Sequence, residues 1–526
     1  MRTPPLTGVK PDRGPATSSA ARPARRLLSA CLPLLACLST LSLSAEAQAQ
    51  AAAPVLPRLG IAPGEPQNRS AQPSVAFGVS PAKSNAFVLD FHGYLLMPLT
   101  LGLNERDNPL PGQGKTVLHN PPLIPNNSRS FTHTGVVPTA YGQINFTYGN
   151  KLLAATLILA AENFTDATGL YNPVEQLGAR DAFVSLNLSE QVGKPFELRI
   201  GAYTGRYGVM GSYDLGRYGT PLIARTNTIG ETATLGLTLG EQVTLVLEEG
   251  VGGQLGKPNV NTVSSQYNDY AFTEVGATFV GHLHAAVDIA RLAQFGLHYL
   301  QAWTRDDTAS TGVTPDGTIS VIGADARLTA GRGGHLYLGF AHTALTNAST
   351  VSGAIEVLNA RGGPELIQQY LGPASNGDGG LTTFGAQYDL SVSRLIYGER
   401  FTGLSPDILV SIFGIGTSVS SDDVNFDGDS KLKLGTEVTY TPLSWLGVSG
   451  RFDHVAPGES STEAFNIITP RVLFHNGWDS QMEIALSYSH FIYGGDVVID
   501  AGSPPRPDPL AIPDGEVLAL TGWLWW

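Results

Sequence analysis

From residue 86 to the carboxyl terminus, apolar and polar residues alternate in runs separated by turn-forming segments. Gly142, Ile144, Phe146 and Tyr148 fall on one face of an extended chain, and Tyr141, Gln143, Asn145 and Thr147 on the other. After Gly149-Asn150, a pair suited to a tight turn, Leu153, Ala155, Leu157, Leu159 and Ala161 repeat the same period of two. The pattern predicts strands over 86–103, 135–148 and 151–162, with a long Pro/Asn-rich connection, 104–134, between the first two. The chain ends in the same way. Leu518, Leu520, Gly522, Leu524 and Trp526 share one face of 516–526, and Val517, Ala519, Thr521, Trp523 and Trp525 share the other.

Long and short connections take turns along the whole of this region. Short ones are expected near 149–150, 190–194, 240–241, 331–334, 442–445 and 476–479. Long ones fall near 104–134, 165–178, 210–229, 254–270, 306–317, 346–380, 420–430, 457–463 and 494–514. Two segments, 284–292 and 393–407, occupy the places of short turns but are longer. Counted through them, the pattern predicts about 18 strands, with 16 as the nearest alternative. β-Sandwiches and solenoids do not require connection lengths to alternate, whereas a barrel inserted from one side has short turns at one rim and long loops at the other. The fold class predicted is therefore an all-β, antiparallel transmembrane β-barrel with short periplasmic turns and long extracellular loops, over residues 85–526.

Composition agrees. Charged residues make up 15% of the chain, against about 25% in soluble domains, as expected when half of each strand faces lipid. Beyond the leader no apolar run reaches the roughly 18 residues of a membrane helix. That leader is expected over 1–47: Arg22, Arg25 and Arg26 precede the apolar run 27–43, and Ala45, Ala47 and Ala49 follow. Both cysteines, Cys31 and Cys37, lie inside it. Residues 48–84, rich in Ala, Pro, Ser and Gln, read as a flexible periplasmic tail. The leader holds six basic and two acidic groups, so the exported chain is more acidic than the net −13 of the full sequence, and nucleic acid is excluded as a partner.

The terminal strand, with Leu518, Leu520, Leu524 and the final Trp526, resembles the assembly signal of bacterial outer-membrane proteins. Together with the alternating connections it gives residues 86–526 the layout of the porins. The resemblance implies a Gram-negative outer membrane, insertion by the barrel assembly machinery, a wall set among lipid and lipopolysaccharide, passage of small hydrophilic solutes, and a homotrimer. It also implies that the third long loop folds inward and narrows the channel. Here that loop carries Arg206, Tyr213, Asp214, Arg217, Tyr218 and Arg225, and opposed charges at a constriction select by size and charge.

The parity opposite the apolar one is expected to line the lumen. It carries Glu162, Asp181, Glu197, Glu248, Glu274, Asp325, Asp389, Glu437, Asp453 and Glu483, and the basic Arg199, Arg327, Lys433, Arg451 and Arg471. The acidic excess predicts a mild preference for cations, reduced wherever charges pair across neighbouring strands. Asp423, Asn425, Asp427 and Asp429 have the donor spacing of a weak calcium loop, but Leu434 stands where the bidentate glutamate belongs. No catalytic spacing is present: there is no H-E-x-x-H, no G-x-S-x-G and no complete phosphate loop. The sequence therefore predicts a passive porin-like channel without cofactor or covalent chemistry. The alternatives are a barrel enzyme, or a non-conducting barrel whose lumen is filled by the tail or by 346–380, in which 354–370 is expected to form a short helix.

Overall fold

The structure, a computed structural model, describes residues 85–103, 141–162, 177–207, 223–240, 242–255, 277–289, 292–305, 317–348, most of 351–398, and 406–456, 464–477, 481–493 and 515–525. The expected leader and tail, 1–47 and 48–84, lie outside the described residues.

The wall is built from β1 (Val88–Gly102), β2 (Tyr141–Gly149), β3 (Leu153–Glu162), β4 (Leu177–Asn187), β5 (Phe196–Tyr207), β6 (Ala224–Thr238), β7 (Val243–Leu255), β8 (Ala277–Ile289) and β9 (Ala293–Arg305). It continues through β10 (Thr318–Thr329) and β11 (Gly334–Thr346). After the sixth long connection come β14 (Gly379–Ser391), β15 (Asp407–Ser421), β16 (Ser430–Leu443), β17 (Leu446–Ala456), β18 (Phe465–Gly477), β19 (Gln481–Tyr493) and β20 (Gly515–Trp525). Two short strands, β12 (Ile355–Val357) and β13 (Ala360–Arg361), belong to that connection. Each wall strand is antiparallel to the next, and β1 closes on β20 from Tyr94↔Trp525 to Gly102↔Val517. The result is a closed antiparallel barrel of 18 strands, with no open edge left on the wall. Among the described residues no helix is long and apolar enough to cross a membrane.

Burial along each strand alternates with the period of the sequence, but with the sense of a soluble protein reversed. On β16, Leu432 and Leu434 are 39% and 45% exposed while Lys431 and Lys433 between and beside them are 1% and 0% exposed. Apolar side chains outward and charged ones inward is the arrangement that lipid outside and a polar lumen inside require. The outer face carries Ile322, Leu297, Phe384 and Ile412. Aromatics stand near its rims: Phe87 stacked on Tyr148 at one end, Phe279 on Trp303 at the other.

The short connections fold through local hydrogen bonds. The Asn150 Oδ1 accepts from the amides of Leu152 and Leu153, each at 2.9 Å, so the first turn begins one residue later than Gly149-Asn150 predicts. Gly240, at φ 83°, allows the left-handed step between β6 and β7. The two long turn candidates resolve differently. His284 to Ile289 continue β8, and only three residues separate it from β9. In 393–407, a short helix, Val392–Tyr397, is capped by the Ser391 hydroxyl, which accepts from the Arg394 amide at 3.2 Å and donates to Asp407 at 2.6 Å.

Candidate functional site in the lumen

The third and sixth long connections meet inside the barrel. The expected third loop, 210–229, is shorter than its turn chemistry suggests, because Ala224 to Ile229 belong to β6. Its descending end lies within the lumen: Ile223 and Ala224 are fully buried, and Ile223 Cγ2 would stand 2.9 Å from a Cβ added at Gly323 on β10. A side chain at Gly323 would occupy the space Ile223 fills. Above the Ile229↔Gly253 pair, β6 parts from β7. There its edge takes β12, with Ile355 opposite Thr226 and Glu356 opposite Arg225, and the Asn227 amide donates to the Ala354 carbonyl at 2.9 Å. The Arg225 guanidinium donates through Nε to Glu356 Oε2 at 3.0 Å, and Nη2 donates to the same oxygen. Glu356 is 2% exposed.

The sixth connection is thus a structured insert rather than the short helix that 354–370 predicts. It forms the ribbon β12–β13 and then one π-helical turn, Ile367–Leu371. The reason lies in its partners: β12 is held extended by β6 on one side and β13 on the other, and Leu358 turns the ribbon at φ 50°. Ala354, Ile355, Val357, Leu358, Leu366, Tyr370 and Leu371 pack against Val280, Leu300, Ile319, Val321, Leu345, Leu381, Ile415 and Val419 on the inner wall. Each fully buried aliphatic side chain contributes about 1.5–3 kcal/mol, more than the two-pair ladder, so packing holds the insert while the ladder and the ion pair fix its register. The Tyr370 hydroxyl donates to the Leu358 carbonyl at 2.9 Å, and Lys431 Nζ stands 4.7 Å from the Tyr370 ring centre. The seventh connection braces the far end: Ser421 Oγ donates to the Leu371 carbonyl at 2.5 Å, and the Ala374 amide to Asp423 Oδ2 at 3.1 Å.

The inner wall therefore has two zones. Toward the long loops it is apolar, both under the insert and on β17–β20, where Val455, Phe465, Ile467, Phe491, Tyr493 and Val517 form a second buried cluster. Elsewhere it is polar and charged, and this zone reaches up to Lys433, opposite Val455 and Ile415. Arg451 grips Asp453 with two parallel bonds, Nε to Oδ2 and Nη2 to Oδ1, each 2.7 Å. Lys433 Nζ lies 3.9 Å from Asp453, and Glu437 receives Arg451 at 3.5 Å and Arg471 at 2.7 Å. On another arc, Glu248 lies 3.3 Å from His282 and Asp325 lies 3.3 Å from His298.

The other lumen residues nominated from sequence also sit on the inner parity. Asp181 accepts from the Thr204 amide and hydroxyl at 2.9 and 3.0 Å. Arg199 lies 3.4 Å from Glu197, and Asp389 accepts from Gln387 at 2.7 Å and from Ser411. Glu483 and Asp325 are buried, and Arg327 is partly so. Arg199–Glu197 and Arg451–Asp453 pair along one strand, whereas Asp181 and Asp389 take neutral partners, Thr204, Gln387 and Ser411. Of the constriction candidates, Arg225 pairs with Glu356. Tyr213, Asp214, Arg217 and Tyr218 lie outside the described residues, as do Trp526, Glu274 and the side chains of Arg206 and Glu162. In the calcium-like segment, Asp423 Oδ1 accepts from the Asn425 amide at 3.1 Å and Asp427 from the Ser421 amide at 3.1 Å. Asp429 is buried, and its backbone carbonyl accepts from the Val419 amide at 2.8 Å. Among the described residues no three His, Cys, Asp or Glu side chains stand close enough to hold a metal ion.

Sequence reasoning missed Glu356, Tyr370, Lys431 and the histidines of β8 and β9 as site residues. The signal for the insert was present: Ala354, Ile355, Val357 and Leu358, broken only by Glu356, stand within a connection otherwise rich in Gly, Ser and Asn. Lys431 was also legible, two positions before Lys433 on the same parity.

No family model matches the chain, and no curated protein does. Solved structures similar to it include OmpT, an outer membrane protein of Vibrio cholerae, at 11% identity, 85% of this chain, 100% of that one and a TM-score of 0.36. OccK11 of Pseudomonas aeruginosa is similar at 12% identity, 83% and 95% coverage and 0.38. The anion-selective porin of Comamonas acidovorans is similar at 10% identity, 84% and 100% coverage and 0.39.

Proposed function

We propose that this protein is an outer-membrane channel through which small hydrophilic solutes or ions diffuse passively. Its narrowest part lies where the sixth connection and the end of the third meet. The observation that supports the reading is the charged inner wall. A barrel of 18 strands is too wide for side chains alone to fill, and on its inner parity Glu197, Arg199, Glu248, Glu437 and Arg471 stay partly exposed. Selectivity follows from the charges at this wall and at the Arg225–Glu356 pair, and no energy source or covalent step is needed. The barrel works singly or as the homotrimer expected from the porin layout, among lipid and lipopolysaccharide.

One observation favours a second reading, a closed barrel that presents its long loops at the cell surface: the apolar packing of the insert against the wall. Single-channel recording in a planar bilayer, with the refolded protein and a salt gradient, decides between them. Stable conductance steps with a defined reversal potential are expected. A barrel that resists SDS, is folded by circular dichroism and never conducts would overturn the channel reading in favour of the closed one.

A further inference from the structure

The hairpin of β5 and β6 leaves its neighbours on both sides before it ends. β4 and β5 pair from Asn187↔Glu197 only as far as Ala182↔Ala202, although β4 runs on to Leu177 beside β3, and β5 to Tyr207 beside β6. On the other side β6 and β7 pair up to Ile229↔Gly253, while β7 continues beside β8 to Leu255↔Ala277. Above those levels the hairpin turns into the lumen. There Ile223 and Ala224 join the buried cluster with Val280, Leu300 and Ile319, and the edge of β6 takes β12.

The bend is written in the sequence. Gly201, Gly230 and Gly252 form one register row across β5, β6 and β7, at the level where the hairpin departs. Gly201 has φ 141°, which a side chain would strain, and a Cβ there would run into the Ala182 carbonyl oxygen. A Cβ at Gly230 would run into the Val251 carbonyl oxygen. Glycine inside a strand marks such a bend in a barrel wall. On β4 the register with β3 shifts at Arg180, a bulge just above the last pair with β5, and bulges of this kind end a ladder.

The departure leaves a seat vacant in the wall. Residues 177–181 of β4 and 203–207 of β5, all among the described residues, form no ladder with each other. One side chain bridges the base of this seam: Asp181 Oδ1 accepts from the Thr204 amide at 2.9 Å and from its hydroxyl at 3.0 Å. Above it Gly178 and Ala179 are exposed, and a Cβ at Gly178 would meet no atom within 4 Å among the described residues. Edge groups left without partners are costly in a membrane, and a return of β5 to β4 would pair them. Two seats thus compete for one hairpin. The lumen seat gains apolar burial and the β12 pairs, and the wall seat gains the upper ladders to β4 and β7.

We propose that the β5–β6 hairpin is a hinged gate, narrowing the pore when seated in the lumen and widening it when swung back into the wall between β4 and β7. The proposal rests on the channel reading. Its hinge is the row Gly201, Gly230 and Gly252, and its two positions are discrete because ladders and packed faces interlock at fixed registers rather than deforming continuously.

The test is the cysteine pair Gly178→Cys with Gly205→Cys in the full exported chain. Counted past the Arg180 bulge, these positions fall opposite each other when β5 pairs with β4, at a spacing that suits a disulfide. The barrel is refolded reduced and then oxidised with copper phenanthroline. The bond is scored by peptide mass, and single-channel conductance is recorded before and after. Oxidation is expected to form the bond and to raise the conductance several-fold, and reduction to restore the smaller value. Ile223→Ala, which weakens the lumen seat and leaves the wall strands unaltered, keeps the test alive where the cysteine pair fails to fold. Its openings to the larger level are expected to be more frequent than in wild type. A conducting barrel in which the bond never forms, or forms without a rise in conductance, overturns the gate and leaves the channel reading standing. So does an Ile223→Ala variant that opens as wild type does. A barrel silent as wild type and crosslinked alike overturns the channel reading and the gate with it.

Discussion

The Glu356→Ala variant is expected to show a larger and noisier single-channel conductance than wild type at neutral pH. The side chain is 2% exposed and, among the described residues, its charged partner is Arg225, held through Nε at 3.0 Å. Removing one partner of a buried ion pair costs about 3–5 kcal/mol. Arg225 keeps 29% of its side-chain surface, so water relieves part of that cost and the lower end applies. About 3 kcal/mol corresponds to a roughly 100-fold change in the ratio of docked to undocked insert. The β12–β6 ladder has two register pairs, too few to hold a strand without packing or an ion pair. A complementary pair of cysteines, Thr226→Cys with Ile355→Cys, stands at opposed ladder positions whose spacing suits a disulfide. Oxidation is expected to lower the conductance of that variant and reduction to restore it. If Glu356→Ala conducts as wild type does, and the crosslink changes nothing, the insert is not the element that narrows the channel.

The wall was legible in the sequence because its determinants are local. A period of two fixes which side chains face lipid, as Leu432 and Leu434 against Lys433 illustrate, and turn residues fix where each strand ends. Counting connections gave the 18 strands and the closure of β20 on β1. The insert was not legible in the same way. Its β12 becomes a strand only because the edge of β6 stands free above Ile229 to receive it, and that edge is 131 residues away from Glu356 along the chain. Helical propensity over 354–370 pointed elsewhere, and tertiary pairing overrode it. Parity nominates the lumen charges in the sequence, but their pairing was not readable. Arg451 and Asp453 are separated by one residue on the same strand face, a spacing as compatible with two independent lining charges as with the bidentate clasp that forms.

That clasp makes Arg451→Leu the most destabilising single change expected in the wall. The Arg451 side chain is 1% exposed and that of Asp453 not at all. The guanidinium also lies over the Phe413 ring at 4.7 Å and reaches Glu437. Leucine retains much of the apolar contact but removes the donors, so Asp453 keeps Lys433 at 3.9 Å as its remaining ion-pair partner. Stranding a buried carboxylate in this way costs about 3–5 kcal/mol, a large share of the roughly 5–15 kcal/mol that separates folded from unfolded states in ordinary domains. The midpoint of guanidinium unfolding in detergent, followed by tryptophan fluorescence, is expected to fall clearly below that of wild type. Adding Asp453→Asn removes the stranded charge while keeping its shape, and the double variant is expected to recover part of the loss. Recovery separates an electrostatic cause from a packing one: a double variant no more stable than Arg451→Leu would mean that the guanidinium acts chiefly as filler against Phe413, and that the clasp contributes little to holding the β16–β18 arc together.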